Sequence, residues 1–211
     1  MDLLPNLDAM DLGQLAALAA ALGWASGLRL YAVVFITGAA GYLGWIPLPE
    51  ALKILQHPVV MVASFAMFVV EFVADKIPGL DSVWDAVHTF IRIPAGAALA
   101  AGVFGGDHAA WALVAALLGG TLAATSHAAK ATTRAAANTA PEPFSNLALS
   151  LAGDALVPAT LWLAVAHPMV FWPLLAVGIV LAVAAVVVLF RFLRAVLRRL
   201  RGTPPPAGAA A

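Results

Sequence analysis

The stretch Glu71-Phe72-Val73-Ala74-Asp75-Lys76-Ile77-Pro78-Gly79-Leu80-Asp81-Ser82-Val83-Trp84-Asp85, followed by His88 and Arg92, joins two apolar runs. Residues 59–70 before it and 93–104 after it contain no ionisable side chain. A helix needs about 20 apolar residues to cross the hydrocarbon core of a bilayer. The second run is too short alone, so its helix must begin near Ser82, which carries Asp85, His88 and Arg92 to membrane depth. Ionisable groups there cost about 2.5–3.5 kcal/mol each on insertion scales and usually serve function or pairing. Pro78-Gly79 breaks the helix between the two acidic pairs.

The rest of the chain fits this reading. Of 211 residues, 63% are hydrophobic and 10% charged, where soluble domains carry about 25% charged residues. Such a chain cannot cover itself with a polar shell, so an all-α, polytopic membrane protein is expected. Six spans emerge, at residues 15–45, 59–74, 82–104, 109–126, 147–166 and 169–190, with prolines punctuating the connections. The first is interrupted at Gly23, Ser26, Gly27 and Arg29, as one broken helix or two short ones. Residues 1–201 form a single transmembrane domain, and 202–211, rich in Pro and Ala, are expected to be disordered. The absence of cysteine excludes disulfides and thiolate chemistry. Without a basic leader, the first hydrophobic segment is expected to be retained.

Arg191, Arg194, Arg198, Arg199 and Arg201 crowd the end of the last span, and basic residues mark the cytoplasmic side. Counting back through six spans places both termini in the cytoplasm, in a bacterial inner membrane. Spans two and three then form a hairpin with the acidic stretch at its cytoplasmic turn. Spans four and five form another, whose turn holds His127-Ala128-Ala129-Lys130-Ala131-Thr132-Thr133-Arg134. Lys76 and Lys130, and Phe90 and Phe144 after them, fall at equivalent places, which hints at a repeat of residues 57–105 in 109–166 about an axis along the membrane normal.

Residues three or four apart share a helix face. Glu71 and Asp75 are so spaced, and so are Asp81, Asp85 and His88. These four carboxylates near an imidazole suit a hard divalent cation, a proton relay, or simple pairing with Lys76, Arg92, Lys130 and Arg134. His127, Lys130 and Arg134 share a face too, either as an anion or phosphate site or as an interfacial basic cluster. Asn138, Asn146, Ser150 and Asp154 continue the polar series, and Asp154 interrupts an otherwise apolar helix. Arg29 either snorkels to the interface or counters the acidic stretch. The glycines permit close helix contacts or packing into a homo-oligomer, and the tail can touch anionic membrane lipids.

The strings E-x-x-x-D-K-I-P-G-x-D-S-x-W-D from Glu71, Arg92-Ile93-Pro94-Ala95-Gly96, and His127-x-x-Lys130 through Asn146 and Ser150 resemble those of domain-of-unknown-function family 4126. That resemblance implies a multi-span bacterial membrane protein and carries no activity. Family members often carry two acidic residues where this chain has Gly153-Asp154.

No zincin helix, Walker loop, nucleophile elbow or dinucleotide fingerprint is present, and nothing supports nucleic-acid binding. The expected function is a small transporter or channel-like protein. Its substrate or ion site comprises Glu71, Asp75, Lys76, Asp81, Asp85, His88, Arg92, His127, Lys130, Arg134, Asn146 and Asp154. Its cargo would be a cation, a proton-coupled solute or a phosphate-bearing substrate, with no cofactor beyond a divalent ion at Glu71, Asp75, Asp81 and Asp85. A scaffold whose charges only lock helices is the rival reading, and a lipid-modifying enzyme the third.

Overall fold

The computed structural model describes residues 10–77, 79–105, 108–139 and 144–200, with the side chains of Asn146 and Leu200 excepted. The tail after 201, the N-terminal aspartates Asp2 and Asp8, Pro78, and Pro141 to Pro143 lie outside the described residues. Those residues form α1 (Leu12–Tyr42), a 3-10 helix (Glu50–Gln56), α2 (Pro58–Ala74), α3 (Leu80–Gly102), α4 (Ala109–Ala137), α5 (Phe144–Ala166) and α6 (Pro168–Leu200), without a strand among them. By length and apolarity, α1, α4, α5 and α6 are each capable of crossing a membrane. The 3-10 helix and α2, bent by 67°, would make a fifth crossing if counted as one. The chain is thus a polytopic α-helical membrane protein. α3 does not qualify on apolarity, because Asp81, Asp85, His88 and Arg92 occupy its first half.

α1 departs most from expectation. It starts in a capping box, Asp11 accepting from the Gln14 amide at 2.8 Å while the Gln14 side chain accepts from the Asp11 amide at 3.0 Å. Its helical geometry fails at Arg29 (φ −150°, ψ 87°), and there the chain folds back. In the first limb, Ala16 and Ala19 share a cavity with Phe104, Trp111 and Trp172. The second limb returns to that same end of the bundle. Gly38 packs on Leu55 of the 3-10 helix, whose Leu52 packs on Gly102 at the end of α3. Leu18 of one limb and Thr37 and Ala40 of the other line one cavity of about 750 Å³. Arg29, at the tip, lies at the far end against Asp75 and Asp154.

The limbs, residues 12–28 and 30–42, reach about 25 and 20 Å at 1.5 Å per residue, short of a hydrocarbon core about 30 Å thick. The interruption expected among Gly23, Ser26, Gly27 and Arg29 falls at Arg29 and is a reversal. As a result, α1 begins at the end of the bundle opposite the arginine-rich end of α6, whose first half (Leu175, Ile179) lies beside Ala16.

Small residues make this possible. Ala17, Ala21, Leu22 and Ala25 are fully buried, because α4 and α3 close directly on the first limb. A Cβ on Gly27 would stand 2.0 Å from Ser126 Oγ and 2.2 Å from Ala123 O, and one on Gly23 would stand 2.6 Å from Gly119 Cα. Gly38, Gly96, Gly102 and Gly119 make close helix contacts within the chain. Val180, Leu181 and Val188 of α6 are more than 60% exposed, an outer surface suited to lipid tails.

Candidate functional site

Five elements bring charge to the Arg29 tip. Glu71 sits in the last turn of α2 and Asp75 caps it. Gly79, in the left-handed region at φ +85°, turns the chain into α3, and Asp81 Oδ1 accepts from the Gly79 and Ser82 amides at 2.9 and 2.6 Å. The four-three-four spacing of Asp81, Asp85, His88 and Arg92 puts all of them on the buried face of α3. α4 runs beyond Ser126 to Ala137, so His127, Lys130 and Arg134 lie on a helix rather than in a turn, and His127 and Arg134 are buried. α5 contributes Ser150 and Asp154.

The acidic and basic groups interlock. Arg92 holds Asp85 Oδ1 at 2.7 Å and also Glu71 Oε1, all three side chains at 0–1% exposure. Lys130 Nζ lies 3.0 Å from Asp75 Oδ2, 3.1 Å from Asp85 Oδ1 and 3.9 Å from Glu71 Oε1. Asp75 Oδ2 also meets Arg29 at 2.9 Å and Arg134 at 3.2 Å. Arg134 donates to the Asp75 carbonyl at 2.6 Å and reaches Asp81 Oδ2 at 3.3 Å. Arg29 spans to α5, where Nε lies 2.7 Å from Asp154 and Nη2 donates to the Ser150 carbonyl and hydroxyl at 3.2 and 3.0 Å. Asn138 donates to Asp81 and Ser82.

Lys76 leaves the buried centre. It donates to Ser150 Oγ at 3.2 Å, lies 3.6 Å from Asp154 and sits over the Phe72 ring.

Pairing Glu71 with Arg92, Asp75 with Arg29, Asp81 with Arg134, Asp85 with Lys130 and Asp154 with Lys76 matches the five carboxylates one for one with five cations. This corrects the metal expectation. Glu71, Asp75 and Asp85 gather on the Lys130 ammonium and Asp81 faces Arg134, so protein cations neutralise the carboxylates, and among the described residues no group of three or more His, Asp or Glu is arranged to hold a metal ion.

The histidines divide differently from the sequence reading. His88 turns away from the carboxylates, stacked on Trp84 at 4.0 Å and within 3.2 Å of the Tyr31 hydroxyl. His127 is the imidazole beside the acids, with Nδ1 3.1 Å from Arg92 and Nε2 2.7 Å from the Thr89 hydroxyl. Asn146 lies in the first turn of α5, its side chain outside the described residues. Arg29, which sequence reasoning kept out of the site, proves central, and an arginine amid 31 otherwise uncharged helical residues was the available signal. Thr89 and Tyr31 had none.

The cluster is not saturated. Glu71 Oε2 and Asp85 Oδ2 are buried and accept no hydrogen bond among the described residues. It also opens sideways. α4 and α5 barely touch, although both pack on α1, and between them lies a cavity of about 180 Å³ reaching Arg29, Asp75, Lys130 and Arg134.

The profile of the family described as Domain of unknown function (DUF4126) matches residues 16–190, which takes in the whole cluster and all but the start of α1 and the end of α6. No curated protein and no solved structure matches the chain.

Proposed function

The chain belongs to the DUF4126 family, and from its charged core we propose that it is a small membrane transporter whose intramembrane cluster is the substrate site. One observation carries this reading: a neutral, buried charge network sits at the tip of a broken, folded-back helix. Irregular backbone at membrane depth is tolerated only where it is buried in protein or lines a cavity, and discontinuous helices at substrate sites are a recurring device of secondary transporters. Cation, proton-coupled solute and phosphate-bearing cargo all fit a network in which one charge can replace another.

The topology belonging to this reading has five crossings, α2 to α6, with α1 as a re-entrant hairpin. The arginines ending α6 then face the cytoplasm of a bacterial inner membrane, and the start of α1 faces the other side. In this reading α1 is not counted as a crossing, and five crossings stand in place of six with both termini inside. The α2–α3 and α4–α5 hairpins run in the same sense and both carry their charges at the turn end, which favours an internal repeat.

Proteoliposomes test the proposal. Wild type should pass at least one of proton, magnesium, calcium or phosphate down a gradient, and Asp85→Asn, which keeps the shape of the side chain, should lose that flux while staying folded. Intact protein with no flux under any gradient would support a second reading, a scaffold whose charges only join helices, for which the complete pairing of the network speaks.

A further inference from the structure

At the cleft between α4 and α5 the charged network meets the outer surface, and the charges lining it are uneven. Arg29, Lys130 and Arg134 line it, and Asp75 is the single carboxylate that lines it with them. One oxygen of Asp75 holds all three cations, at 2.9, 3.0 and 3.2 Å. Each of those cations has a further carboxylate away from the cleft: Asp154 for Arg29, Asp85 for Lys130 and Asp81 for Arg134. An incoming anion can therefore take the position of the Asp75 carboxylate without stripping any cation of its other partner. Two guanidinium forks and an ammonium suit a tetrahedral oxyanion, and the Thr133 hydroxyl on the same wall adds a donor. The remaining walls are apolar, from Leu28, Leu149 and Leu156. The mouth lies between helices whose outer faces suit lipid tails, with Ala152 and Leu156 exposed there.

We propose that this cleft binds a phosphate-type anion, carried on an amphiphile or free, with Arg29, Lys130 and Arg134 as its ligands and Asp75 as the internal anion it displaces. The inference deepens the transport reading by naming its substrate class and rests on the cluster being a ligand site. Binding is measured without flux, so transport can fail while this stands.

The test uses the full chain in nanodiscs of phosphatidylcholine, titrated with phosphatidic acid, with diacylglycerol as the headgroup-free control and with inorganic phosphate, and read by native mass spectrometry and thermal shift. Retention of phosphatidic acid but not diacylglycerol, or a stabilising shift with inorganic phosphate, is the expected result. The first identifies a lipid headgroup as the ligand and the second a free anion. Lys130→Gln should weaken binding about tenfold through the loss of a charge-assisted contact. Ala152→Phe, which fills the mouth and leaves every charge in place, should abolish lipid binding in a protein that melts like wild type. Neither probe binding to wild type, or binding indifferent to both Ala152→Phe and Lys130→Gln, would overturn the proposal.

Discussion

Arg92→Met removes the most enclosed cation of the network. Arg92, Glu71 and Asp85 are all 0–1% exposed, and the substitution deprives both carboxylates of their bonded arginine. Breaking one buried ion pair by deleting a partner costs about 3–5 kcal/mol, mostly from the stranded charge. Two carboxylates are affected here, but Lys130 remains 3.1 Å from Asp85 and 3.9 Å from Glu71, so the single-pair figure is the better guide than its double. Glu71→Gln alone should cost about 1–2 kcal/mol, because the amide oxygen still accepts from Arg92. With both changes only Asp85 needs a counter-ion, and Lys130 supplies it. The double variant should therefore fall short of the sum by about 1–3 kcal/mol. Denaturant titration of the detergent-solubilised chain, followed by helical circular dichroism, measures all three. Strict additivity, or Arg92→Met within about 0.5 kcal/mol of wild type, would refute the view that these residues form one buried unit.

Two further outcomes follow from the fold. Because the chain lacks cysteine, single cysteines report sidedness cleanly: Gln14→Cys and Trp45→Cys should label from one face of the membrane and Arg199→Cys from the other, whereas labelling of Gln14→Cys and Trp45→Cys from opposite faces would mean that α1 crosses. Gly27→Ala drives a methyl to within 2.2 Å of the Ala123 carbonyl and should cost about 1–3 kcal/mol by overpacking, while Gly153→Ala, whose nearest neighbour is Arg29 Nε at 3.7 Å, should melt close to wild type.

Much of this architecture was legible in the sequence because bilayer physics leaves few choices. Apolar runs of fixed length and charges at their ends located the starts of α2 to α6 within a few residues, although α4 and α6 run eleven and ten residues past the expected ends at 126 and 190, and three-four spacings put the right side chains on common faces. The α3 start near Ser82 followed from length alone. What the sequence hid was the direction of α1. A helix that crosses and one that turns back have the same composition, and the reversal depends on Gly23 and Gly27 meeting Gly119, Ala123 and Ser126, contacts about a hundred residues apart. The metal reading failed for a related reason. Spacing shows which carboxylates share a face but not that Lys130 and Arg134 reach across from α4 to neutralise them. His88 and His127 exchanged roles because the rotation of α3 against α1, which sets His88 against Tyr31, carries no periodic signature.

The central claim is that ligand can reach the charged cluster at membrane depth, and Ala129→Cys tests it most directly. Ala129 lines the cleft beside Lys130. In membranes, a small charged thiol reagent should modify this cysteine, and inorganic phosphate or phosphatidic acid should slow the reaction. A cysteine there that stays unmodified, while Lys53→Cys on the exposed 3-10 helix reacts fully in the same preparation, would contradict the account and leave the network as a sealed helix lock.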